Sequence, residues 1–198
     1  LGFAHQYMQA YELASRLSAG LPEVKDVRAR FVLLANLSQA MDYADQHEPA
    51  INYARMMESS VPPGETLCSS HKLQIAAMFD GGELKTSSLK LQRAIKICSA
   101  AKRPLFVHAL WLIEDDAYLD EGQPAKALAL LERIGPAIKA SGYYPQILSM
   151  RAKQAMAHAK LGHDGEARKA ALAVLAMDRA GGDNEWLRAA DKVVYEVA

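Results

Sequence analysis

Two stretches of the chain share few letters but one spacing: AYLDEGQPAKALALLERI, from Ala117 to Ile134, and AHAKLGHDGEARKAALAV, from Ala157 to Val174. Ala117, Gly122 and Ala127 return forty residues later as Ala157, Gly162 and Ala167. Gly82 stands forty residues before Gly122, and Asp45 holds the same place 37 residues before Gly82. A turn residue recurring at such a period marks stacked repeats. Five residues after each turn residue comes a small side chain: Ala50, Ser87, Ala127 and Ala167. It faces the partner helix of a hairpin, where bulk would push the two helices apart. Ala54, Leu91, Leu131 and Ala171 follow four residues on, and Met57, Ala94, Ile134 and Val174 three beyond those. These continue the buried face. Geometry fixes such letters and leaves the rest free.

The units that repeat are helical. Apolar residues recur at three and four, as at Phe31, Leu34, Leu37 and Met41 around Ser38, and strand-like alternation is nowhere sustained. Breaks are short: AGLP, SVPPGE, DGGE, RP, DEGQP, SGYYP, LGHDG and AGGDN. Each carries the Gly, Pro, Asp or Asn that stops one helix or caps the next. The pattern predicts about ten helices, at 2–19, 23–44, 47–60, 65–80, 84–102, 104–121, 124–141, 145–161, 164–180 and 184–198. Links this short make consecutive helices antiparallel.

The spacing resembles the tetratricopeptide repeat. In the best copy Trp111, Tyr118, Gly122, Ala127 and Leu131 fall on that family's aromatic, aromatic, glycine, small and bulky positions. Asp115 stands where the family has a small residue, His158 replaces the tyrosine of the next copy, and Asp45 replaces the first glycine. The repeats are 37 to 40 residues long, longer than the usual ~34. The resemblance implies an all-α, right-handed superhelix of αα-hairpins forming a single array over 1–198. Its hairpins would lie at 23–60, 65–102, 104–141 and 145–180, with partial repeats at 2–19 and 184–198. Such arrays present a concave groove lined by the first helix of each hairpin. The candidates for that lining are Asn36, Gln39 and Tyr43; Lys72, Ala76 and Phe79; Leu112, Asp116 and Leu119; and Lys153, Met156 and Lys160. A peptide or partner helix is the ligand such a mixed polar, aromatic and methionine surface suits.

Composition narrows the function. With 23 basic and 23 acidic residues the net charge is zero, which argues against a sequence-independent hold on nucleic acid. No apolar run approaches the ~18 residues of a spanning helix. GGDNEW, from Gly181 to Trp186, has the letters of a diguanylate cyclase signature, but its flanks read as alanine-rich helices instead of a β-hairpin. It reads instead as a helix stop followed by a cap. The six histidines show no i, i+4 pair, and no cofactor motif, metal motif or catalytic constellation emerges. EDDAYLDE, residues 114–121, gathers five carboxylates at a helix C-terminus. It reads either as a solvated acidic face or as a patch for a basic partner.

Cys68 and Cys98 flank one turn almost symmetrically, 14 residues before Gly82 and 16 after it. In antiparallel helices of equal rise they therefore sit at one height. Whether they face each other depends on helix rotation, so buried thiols and a disulfide both stay open. A bridge would favour an oxidising compartment.

A further resemblance is to the N-terminal sensory regions of bacterial diguanylate cyclases that carry tetratricopeptide repeats. It rests on the long repeats, SGYYP at 141–145 and DKVVYEVA at 191–198. It implies a non-enzymatic regulatory module; the start at LGFAHQYM and the stop inside KVVYEVA read as a piece of a longer protein, and a Cys68–Cys98 bridge would put it on the periplasmic side of a bacterial inner membrane. Its output would be a cyclase domain outside the chain, through which it could form a homodimer. The alternatives are a free-standing adaptor and a cytoplasmic location.

Overall fold

The computed structural model describes residues 2–59, 65–177 and 193–194, and among these every regular element is helical. They are α1 (Gly2–Gly20), α2 (Val27–Tyr43), α3 (His47–Met56), α4 (Glu65–Asp80), α5 (Leu89–Ala100), α6 (Pro104–Asp120), α7 (Pro124–Ala140), α8 (Tyr144–Lys160) and α9 (Asp164–Met177). Short 3-10 turns follow α1 and α3, at Leu21–Glu23 and Met57–Ser59. The GGDNEW stretch and most of the proposed tenth helix lie outside the described residues, as does the SVPP link. The chain forms two compact units, Leu1–Leu110 and Trp111–Ala198, the division falling inside α6.

The repeating turn residues share one backbone conformation. Asp45, Gly82, Gly122 and Gly162 are all left-handed, with φ of 60°, 72°, 69° and 72°. In each turn the following amide reaches back five residues: Gln46 to Met41, Glu83 to Met78, Gln123 to Tyr118 and His163 to His158, at 2.8–3.0 Å. This is the glycine-type helix stop that satisfies orphaned carbonyls and sends the chain into the next helix. A fixed turn geometry with a short exit explains why the turn residue kept its spacing. Lys102 and Gly142, also left-handed, stand between α5 and α6 and between α7 and α8.

The packing positions follow the repeat with one exception. Ala50, Ala127 and Ala167 are fully buried, and so are Ala54, Leu131 and Ala171. Ser87 does not take the corresponding place: it is exposed. After Gly82 the chain does not enter the helix expected from residue 84. It first makes a second turn, in which the Ser88 amide donates to Lys85 O at 2.9 Å, and α5 begins only at Leu89. Thr86, Ser87 and Ser88 favour turns and caps over helix interior, because their hydroxyls compete for backbone groups. The register is recovered at Leu91 and Ala94, both fully buried.

In the first unit the core joins Leu34, Leu37 and Met41 of α2, Ala50 and Ala54 of α3, and Leu73 and Ala77 of α4. Two serines lock it. Ser38 Oγ donates to Ala50 O at 2.9 Å and Ser70 Oγ to Ala54 O at 2.8 Å, so α2 and α4 both bond the small-residue seam of α3. The Cys68–Cys98 disulfide ties α4 to α5, with Cα atoms 4.7 Å apart and both residues fully buried. Helix rotation therefore turns both sulfurs into the seam. In the second unit Leu112 of α6 packs with Leu130, Leu131, Ile134 and Ile138 of α7 and Met150 of α8. Trp111 and Tyr118 join that cluster as half-buried side chains, so they rim the core beside Leu131 and are not sealed within it.

Candidate functional site

The candidate binding residues fall into two groups, one in each unit. In the first unit they lie on neighbouring first helices. Asn36, Gln39 and Tyr43, on α2, are all exposed, Tyr43 at 73%. Lys72, Ala76 and Phe79, on α4, are half-buried. Lys72 is the cation of this face. Burial pulls its pKa below the usual lysine range, against the opposing pull of Asp42 and Asp80. A partly desolvated ammonium that feels two carboxylates, on a face that also carries exposed amides and aromatic rings, suits polar groups on an extended ligand.

The second unit departs from an open groove. Leu112 and Leu119 are core residues, while Met156 is half-buried against Leu119, Ala127 and Ala157. Lys160 is exposed. Asp116 and Lys153, 37 residues apart in sequence, are brought together as an ion pair, with Lys153 only 2% exposed. Lys153 is thus committed to Asp116 and reaches a partner only by giving up that contact.

The acidic run is neither a solvated face nor an open patch. Glu114 and Asp115 are buried and Asp116 is half-buried, so only the last two of its five carboxylates, Asp120 and Glu121, stand in solvent. Asp115 is fully buried, and neither carboxylate oxygen has a hydrogen-bond partner. Burial pushes its pKa up to about 8; Lys153 opposes the rise, and Asp116 and Glu114 add to it. At neutral pH the side chain is accordingly a neutral acid. In the sequence Asp115 stands out twice, as a departure from a small residue and as one carboxylate of the acidic run. That was the signal: a carboxylate placed where the repeat requires close packing.

His158, in its tyrosine-like position, is half-buried, its Nδ1 3.4 Å from that of His163. Among the described residues no three His, Cys, Asp or Glu side chains converge as a metal site would require. No helix among them is long and apolar enough to cross a membrane. Compared with protein families, curated proteins and solved structures, the chain matches none.

Proposed function

We propose that the chain is a non-catalytic recognition module that takes a peptide or protein partner on the first-helix face of its first unit. The reading is carried by one observation. Asn36, Gln39 and Tyr43 stand open on α2, and Lys72 and Phe79 are half-buried on α4, the next first helix, which packs against α2, although both helices are otherwise held tightly to α3. Large aromatic side chains near hydrogen-bonding amides are the usual anchors of protein recognition. The sequence resemblance extends the proposal to the sensory region of a bacterial signalling protein with a diguanylate cyclase output. The Cys68–Cys98 bridge supports the periplasmic side, because disulfides persist in oxidising compartments.

The test is site-specific photo-cross-linking in cells that express the native full-length protein. A photoreactive residue is placed at Gln39 or Tyr43, and in parallel at Asn52 or Arg55, exposed on the second helix α3. The proposal requires adducts from positions 39 and 43 that are absent from 52 and 55. Adducts only from 52 and 55 would move recognition to the opposite helices and overturn it.

A further inference from the structure

The first hairpin turn carries a burden that the other three avoid. Gly82, Gly122 and Gly162 adopt the left-handed conformation as glycines, whereas Asp45 adopts it with a side chain, at φ 60°. That conformation crowds a Cβ; aspartate is one of the few side chains that enter it, when its carboxylate finds a local hydrogen bond. The side chain that holds Asp45 is His47, the first residue of α3. Its Nε2 lies 2.8 Å from Asp45 Oδ1, and its Nδ1 2.9 Å from Asp42 Oδ1 on α2.

Ionised carboxylates only accept hydrogen bonds, so both contacts are made only if both ring nitrogens donate. That is the imidazolium form; a neutral ring donates from one nitrogen and turns a lone pair toward the other carboxylate. Burial works against the charge on His47, but hydrogen bonds and charge from Asp42 and Asp45 outweigh it and raise the pKa above 6.5. The neighbouring charged groups on α4 are Lys72, which feels Asp42, and Asp80, which acts on Lys72. The His47 side chain lies close to Gly81, just after α4, where an added Cβ would stand only 3.2 Å from His47 Cβ and Cδ2, so glycine at 81 leaves the ring its room.

We propose that Asp42, His47 and Asp45 form a proton-operated latch on the first hairpin turn, closed while the imidazole carries two protons and released at Asp45 when it loses one. Release falls on Asp45 because a freed carboxylate must be hydrated. The Asp45 side chain is 84% exposed, against 18% for Asp42. Neutral His47 therefore keeps its Nδ1 proton on Asp42 and leaves Nε2 bare. Because the folded pKa is raised, the latch's contribution is complete below pH 6.5 and is lost as pH rises through the folded value. The turn then holds a left-handed aspartate without its clamp.

The experiment follows the ring nitrogens of His47 in the full chain by ¹H–¹⁵N NMR from pH 5 to 9. Alongside it runs amide hydrogen exchange at Gln46, as a ratio to Gln123 and His163, which make the same backbone bond in other turns. The expected results are a midpoint above 6.5 and a neutral form protonated at Nδ1. The Gln46 exchange ratio should rise across the transition by about tenfold for each unit by which the midpoint exceeds 6.5. Asp45→Gly, which restores the residue used in the other turns, should lower the midpoint and abolish the pH dependence of the ratio. A midpoint at or below 6.5, an Nε2-protonated neutral ring, or a flat exchange ratio would overturn the latch.

Discussion

Asp115 should make the second unit less stable as pH rises, and Asp115→Asn should remove that dependence. The folded carboxyl has its pKa raised by burial to about 8, whereas an unfolded aspartate titrates near ~3.9. Between those values the folded chain holds one proton that the unfolded chain has released. Raising the pH therefore favours unfolding. The stability is fully present below the unfolded pKa and is lost as pH rises toward the folded one. One proton corresponds to about 1.4 kcal/mol per pH unit, so the wild type should lose roughly 2.7 kcal/mol between pH 5 and pH 7 relative to Asp115→Asn. His47 and His71 also titrate abnormally, but both proteins contain them, so the difference isolates Asp115. The assay is urea unfolding followed by tryptophan fluorescence, because both tryptophans, Trp111 and Trp186, lie within 111–198. A companion variant, Asp115→Ala, should stabilise the unit at pH 7 by about 1–3 kcal/mol, since it removes a buried polar group without partners. Parallel pH profiles for wild type and Asp115→Asn would refute the reasoning and show Asp115 ionised in the folded protein.

Three further outcomes follow from the packing. Removing the bridge with Cys68→Ala and Cys98→Ala should cost about 3–4 kcal/mol for a separation of 30 residues, measured by chemical unfolding of the first unit. Ala127→Leu, at a fully buried seam position, should cost ~1–3 kcal/mol by overpacking α6 against α7, and an unchanged melting temperature would contradict the register. Lys153→Met should destabilise the second unit by about 2–4 kcal/mol, below the full penalty for breaking a buried pair because Asp116 is half-exposed. Adding Asp116→Leu should recover most of that loss in a double-mutant cycle.

What could be read from sequence was whatever a turn fixes. Gly82, Gly122, Gly162 and even Asp45 were legible because a left-handed turn with a short exit admits few residues and fixes the helices around it. The start of α5 departs from the repeat period because three hydroxyl residues, Thr86 to Ser88, favour a turn and delay the helix to Leu89. Helix rotation was much less legible. The symmetry about Gly82 gave Cys68 and Cys98 equal height but left their facing open, and the structure turns both inward. Lys153 stands nine residues before Gly162, a place that holds exposed Asn36, buried Leu73 and half-buried Ile113 in the other repeats, so the repeat register leaves its burial open. Its pairing with Asp116, another groove candidate, depends on helix rotation that spacing does not fix. Asp115 was noticed as a misfit, but single-sequence spacing carries no measure of desolvation.

Recognition by the first-helix face of the first unit is decided by a binding titration with the partner captured by cross-linking. Wild type, Tyr43→Ser, Lys72→Glu and Arg55→Glu are compared by calorimetry, with helicity checked by circular dichroism. Tyr43→Ser and Lys72→Glu should each weaken binding about tenfold or more, as central recognition residues do, while Arg55→Glu should leave it unchanged. Full affinity in Tyr43→Ser and Lys72→Glu, with binding lost in Arg55→Glu, would contradict recognition by this face.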